Sequence, residues 1–269
     1  MTNNEILQLF LSTLNSERSK ESYGAIIKKF LSEANKDVAD VTPLDVNCYV
    51  ANEYGELRAT TRNMRVNVLK SFSKWAFQND IASADFAASI KALRTEVEPK
   101  DRLTRDEARL MYDRGNYREK AIIALLLNTG LRISEVTGLK LGDYNKEELR
   151  IKTKGARYRT IYLNNETRGA IDKYLEHRKA KTDFLFTSNM GNRLDIQSIN
   201  NSWLKLARKA SVGKHVTSHS FRRLVVTEVA NEYGIAVAQK FIGHKNVATT
   251  ARYYQIDEEQ IRNIYMTRG

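Results

Sequence analysis

The chain has 269 residues, which suits one large domain or two smaller ones. Hydrophobic residues make up 42%, charged residues 28%, and the net charge is +12, so the composition is globular and favours a polyanionic partner, DNA or RNA before an acidic membrane surface. No apolar run nears the roughly 20 residues that span a bilayer, the N-terminus lacks a signal peptide's basic region and cleavage site, and the lone cysteine, Cys48, rules out an internal disulfide and argues against a Cys-rich metal site.

Residues 1 to about 93 read as helices. Ile6, Leu7, Phe10, Leu11 and Leu14 recur at helical spacing, and Tyr23, Ile26, Ile27, Phe30 and Leu31 repeat the pattern after a break around Asn15–Ser19. Thr42-Pro43-x-Asp45 is a helix start, with a threonine cap, a proline in the first turn and an acid near the positive end. Cys48 falls in an apolar helical pattern and reads as a small core residue. A long helix is predicted over roughly 58–78, with Val68, Leu69, Phe72, Trp75 and Ala76 facing inward. Its polar side carries Arg58, Arg62 and Arg65, with Thr60, Thr61 and Asn63 among them. That side is either a solvated face or a helix laid on DNA, gripping phosphates and reaching base edges. Arg18, Lys20, Lys28 and Lys29 extend the same basic surface.

Residues 94–102 break the periodicity, are charged and contain Pro99; they read as a linker between domains. Thr104-x-x-Glu107 then opens a helix with a capping box. Residues 119–131 are strongly apolar and read as a buried helix ending at Gly130, followed at once by Arg132. Taken alone, Arg132 reads equally as a structural partner of Glu135. Alternation on both sides of Lys154-Gly155-Ala156-Arg157 predicts a β-hairpin over 149–163. A lysine there is commonly a charge that protects a strand edge. Helices follow over 165–178 and 195–210; Trp203, Leu204 and Leu206 read as core, and Lys205, Arg208 and Lys209 as phosphate contacts or solvated charge. His177 and His215 match no motif. With four histidines and neither HExxH nor CxxC, no structural metal is expected.

The stretch from His219 to Tyr253 carries the chemistry. His219 and Arg222 stand three apart and share a helix face. Gly243 supplies a helix-ending bend before His244, and Tyr253 stands nine residues after His244. An arginine fork suits a phosphate's non-bridging oxygens, a histidine can donate to them or move a proton, and a phenol can act as a covalent nucleophile.

These residues resemble the tyrosine recombinase (phage integrase) family, whose signature has an H-x-x-R box, a G-H/W box and a nucleophilic tyrosine nine residues later. The resemblance continues upstream and covers most of the chain. It maps the first catalytic arginine of TGLRISEVTGL to Arg132, with Glu135 as a supporting acid, and a catalytic hairpin lysine to Lys154, with Lys152 the weaker candidate. His219, Arg222, His244 and Tyr253 complete the set. Tyr254 competes with Tyr253, but helical neighbours point about 100° apart and the spacing favours Tyr253. Arg223 stands where many members have histidine and reads as a backbone-phosphate contact, as does Arg157.

The resemblance implies a mainly α fold: a helical core-binding domain (1–93) and a catalytic domain (103–269), mostly helical with a small antiparallel sheet, closing as a C-shaped clamp on DNA. It implies a site-specific recombinase that cuts and rejoins strands through a 3′-phosphotyrosine and a Holliday junction, with no cofactor. The partner is double-stranded DNA with specific sites, bound by a homotetramer in which a tail helix from about 256 docks in trans. The expected location is the cytoplasm, in association with the nucleoid, of a bacterial or mobile-element-encoded protein. Without a separate arm-binding domain, the chain looks like the compact Xer-type or transposon- and plasmid-encoded resolving recombinases. A type IB-like topoisomerase and a non-catalytic DNA-binding protein on the same fold are the alternatives.

Overall fold

A computed structural model of the chain describes residues 1–94, 102–152, 158–243 and 266. The chain divides into two compact units, Met1–Pro99 and Lys100–Gly269. Among the described residues the fold is mainly helical, with eleven α-helices and one two-stranded antiparallel sheet. No helix among them is long and apolar enough to cross a membrane.

The first unit holds α1 (Asn3–Ser12), α2 (Glu17–Ala34), α3 (Pro43–Tyr54) and α4 (Ala59–Gln78). Thr42 starts α3 as expected: its hydroxyl accepts the Asp45 N–H while the Asp45 carboxylate accepts the Thr42 N–H. One aromatic-rich core joins the helices, with Phe10, Phe30, Tyr49, Phe72 and Phe86 buried at its centre. The stripe at 68–76 is core, although Trp75 is only partly buried. Cys48 is a correction, because it is exposed. The inward face of α3 is set by Val46, Tyr49, Val50 and Tyr54, and position 48 lies off that stripe.

The second unit holds α5 (Arg105–Arg114), α6 (Tyr117–Thr129), the single turn α7 (Ile133–Val136), β1 (Glu148–Lys152), β2 (Tyr158–Tyr162), α8 (Asn165–His177), α9 (Ile196–Lys209), α10 (Ser218–Tyr233) and α11 (Ile235–Ile242). α6 is buried nearly all round, from Ala121 through Leu126, and α8 and α10 pack against it. The capping box of α5 forms between Thr104 and Glu107. The hairpin strands pair in register from Glu148↔Tyr162 to Lys152↔Tyr158. Leu149 and Ile151 point into the core, and Arg159 and Ile161 take the more buried phase of β2.

Candidate active site

Two helix ends create the site. α6 stops at Gly130, whose left-handed backbone (φ 59°, ψ 23°) returns its N–H to Leu126 O at 2.9 Å. α11 stops the same way at Gly243 (φ 67°, ψ 41°). An ordinary residue is strained in that conformation. Such ends leave carbonyls without a partner inside the helix, and their partial negative charge suits a cation.

Arg222 fills that role. Its side chain, 3% exposed, projects from α10 and donates through Nη1 to Gly130 O and through Nη2 to Ile242 O at 3.2 Å. A buried guanidinium is tolerable only when it is paired in this way. One arginine therefore ties the turn that precedes Arg132 to the turn that precedes His244.

Arg132 begins α7 and is exposed. Its backbone N–H donates to Glu135 Oε2 at 2.7 Å, and its Nη1 lies 3.6 Å from Glu135 Oε1. The Glu135 side chain is largely buried, so it fixes the loop that presents Arg132. His219 lies in the first turn of α10. That turn is anchored from beneath: the Ser218 N–H donates to Asn200 Oδ1 at 3.0 Å, and Trp203 Nε1 donates to Ser218 Oγ at 2.8 Å. The His219 residue is exposed by area, yet the protein around its ring desolvates it. That desolvation first, then the charges of Arg222, Arg223 and Arg132, hold its pKa below the usual histidine value. The ring is therefore neutral at pH 7 and can accept a proton.

Glu135 has a second cationic neighbour that the motif reading passed over. Arg159 on β2 brings Nη2 to 3.8 Å from Glu135 Oε1. The available signal was strand alternation: Arg159 shares the inward phase with Ile161, an unusual place for a charge.

Of the remaining expected site residues, Lys154, Arg157, His244 and Tyr253 lie outside the described residues, as do Tyr254 and the tail from 256. Lys152 is exposed at the end of β1. Arg223 is partly buried on α10, and Lys205 and Arg208 are exposed on α9. Arg58, Arg62, Arg65, Lys20 and Lys28 belong to the first unit. Arg58 and Lys28 are exposed. Arg62 Nη1 donates to Lys91 O at 3.4 Å, Arg65 lies over the Tyr54 ring at 5.3 Å, and Lys20 pairs with Glu17 at 2.6 Å. Arg62 and Arg65 are thus held by their own unit.

Known proteins resemble the chain over most of its length. The chain is 24% identical to tyrosine recombinase XerC of Leptospira interrogans, over 97% of this chain and 92% of that protein. It is 27% identical to tyrosine recombinase XerA of Pyrococcus horikoshii, over 97% and 93%. The fold matches the crystal structure of a lambda integrase tetramer bound to a Holliday junction with a TM-score of 0.73, at 18% identity, over 96% of this chain and 81% of that one. The model of the phage integrase family matches residues 101–260. With that match spanning more than half of its length, the chain belongs to the phage integrase family, the tyrosine recombinases, which break and rejoin DNA.

Proposed function

We propose that the chain is a site-specific recombinase in which Arg132, Lys154, His219, Arg222 and His244 act on one DNA phosphate while Tyr253 attacks it. The observation that carries this reading is the buried Arg222, which donates to Gly130 O and Ile242 O and so ties the turn before Arg132 to the turn before His244. Phosphoryl transfer draws its rate mainly from positioning and from stabilising charge on the phosphate oxygens. Arginine suits this because it stays protonated and holds a rigid planar fork.

The Tyr253 oxygen attacks phosphorus, and its proton passes to neutral His219. The bond to the 5′ oxygen breaks, and that oxygen leaves as a hydroxyl with a proton from Lys154. A 3′-phosphotyrosyl ester remains and keeps the bond energy for rejoining to another strand. A phenol of ordinary pKa near 10 needs this help at pH 7. Glu135 holds the Arg132 loop. Arg58, Arg62, Arg65, Lys20, Lys28, Arg157, Lys205, Arg208 and Arg223 contact the backbone of double-stranded DNA carrying specific sites. Two domains, 1–93 and 103–269, engage the duplex through the linker 94–102. Four copies act on paired sites through a Holliday junction, each tail from about 256 docking on a neighbour, inside a bacterial-type cytoplasm.

Incubation with a nicked suicide substrate in EDTA tests the proposal. A covalent protein–DNA adduct is expected, and it should vanish in Tyr253→Phe. An adduct that survives Tyr253→Phe would place the nucleophile elsewhere, and failure to form any adduct would remove the catalytic reading.

A further inference from the structure

Arg159 presents a problem of charge and hydrogen bonding. It sits on β2 opposite Ile151, with its side chain 22% exposed. Its Nε and Nη2 are buried without a hydrogen-bond partner. Leaving buried donors of a charged group unpaired is costly, so a residue kept there needs a return in function. Two neighbours define what it faces. Its Nη2 is 3.8 Å from Glu135 Oε1, the same oxygen that Arg132 Nη1 approaches at 3.6 Å. Its guanidinium also covers Gly243: a Cβ there would lie 2.5 Å from Arg159 Nη1 and 3.4 Å from Cζ.

The two guanidiniums share one carboxylate. Glu135 is needed for geometry, since its Oε2 accepts the Arg132 backbone N–H. Its charge has an unwanted second effect. Paired with Arg132 alone, it would cancel the positive charge that a phosphate must meet. A second arginine beside the same oxygen leaves the trio with a net positive charge.

We propose that Arg159 is a positioning residue that neutralises Glu135, so that the charge of Arg132 stays available to the scissile phosphate. The inference rests on the recombinase reading above. Arg159 itself does not touch the substrate. It works from beneath, joining the hairpin strand to the acid that sets Arg132 and to the glycine that precedes His244.

Single-turnover cleavage of three substrates tests this. The first carries the natural phosphodiester. The second carries a methylphosphonate at the scissile position, where one non-bridging oxygen and its charge are absent. The third carries a 5′-bridging sulfur, a better leaving group. Arg159→Ala should slow cleavage of the phosphodiester about 10–100-fold, the range typical of groups that orient a reacting shell. The deficit should shrink to less than about threefold on the methylphosphonate, because less charge needs neutralising. It should persist on the sulfur substrate, where Lys154→Ala recovers. Arg159→Lys, which keeps the charge, should regain most of the lost rate.

Three outcomes overturn the proposal: no loss in Arg159→Ala, an equal loss on phosphodiester and methylphosphonate, or recovery on the sulfur substrate alone. The second outcome marks a residue needed only for folding, and a parallel fall in melting temperature would identify it. The third marks a residue that serves Lys154. If the parent protein forms no adduct on any substrate, the recombinase reading has failed instead.

Discussion

Arg222→Lys separates the two tasks that the buried guanidinium performs. In the parent, Nη1 and Nη2 serve two carbonyls on different helix ends, Gly130 O and Ile242 O. A lysine is a point charge on a flexible stem and can satisfy one of them at most in comparable geometry. One charge-assisted hydrogen bond in a buried setting contributes about 1.5–3 kcal/mol. For a unit in the range of 150–250 residues, each kcal/mol moves the melting temperature by roughly 2–4 °C. Scanning calorimetry of the DNA-free protein should therefore show the transition of the second unit lowered by about 3–12 °C. Cleavage should fall further than stability accounts for. In the role proposed for it above, Arg222 would also lose a donor to the phosphate, and one such donor contributes about 10²–10³ in rate. Single-turnover cleavage below the new transition temperature reads that loss in folded protein. A variant that melts within 1 °C or so of the parent, a margin under 1 kcal/mol, and cleaves at the parental rate would refute the reasoning. The bridge between the two helix ends would then carry neither stability nor chemistry.

Other expected outcomes follow from the same geometry. Gly243→Ala adds a Cβ against Arg159 Nη1 in a left-handed backbone; it should cost about 1–2 kcal/mol from the backbone alone and slow cleavage as well, and full stability with full activity would count against the close approach. The pH profile of the second-order cleavage rate should reflect His219, whose pKa is held down mainly by desolvation, then by Arg222, Arg223 and Arg132. With His219 as the proposed base, neutral imidazole would be the active form, so the rate should be flat near pH 7 and drop only below the usual histidine value of about 6.5; a drop centred above that value would be the wrong sign. The same depressed pKa stabilises the fold above the unfolded value, a contribution lost as pH falls through the folded one. Lys154→Ala should slow cleavage and recover on a 5′-bridging sulfur substrate; no recovery would remove its general-acid role. Binding to single sites should weaken steeply with added salt as phosphate contacts release counterions, and a flat titration would argue against backbone binding.

Local rules written in single residues were legible without coordinates. The Thr42/Asp45 and Thr104/Glu107 boxes start helices where their spacing says they should, because capping is a contact between residues three apart. Gly130 ends α6 in the left-handed conformation for the same local reason. Alternation located both hairpin strands. Legibility failed where a residue's surroundings come from distant chain. Cys48 lies among apolar residues in sequence, yet tertiary packing selected another stripe of α3 and left it outside. Spacing placed His219 and Arg222 on one face, but not that Arg222 would be buried against two helix-end carbonyls while His219 stayed near the surface. Arg159 was passed over because a motif search looks for groups that meet the substrate. Its partner Glu135 is 24 positions away, and only the fold brings them together.

The most direct measurement is a crystal structure of the protein on nicked DNA, with vanadate bridging Tyr253 and the strand end as a mimic of the phosphorus in flight. The expected result has the Tyr253 oxygen and the departing 5′ oxygen in line through vanadium. Nitrogens of Arg132, Arg222 and His244 should lie about 3 Å from its equatorial oxygens, His219 beside the phenolic oxygen and the Lys154 ammonium beside the 5′ oxygen. A complex with Tyr254 bound to vanadium, or with either Arg132 or Arg222 turned away from it, would contradict the proposed chemistry.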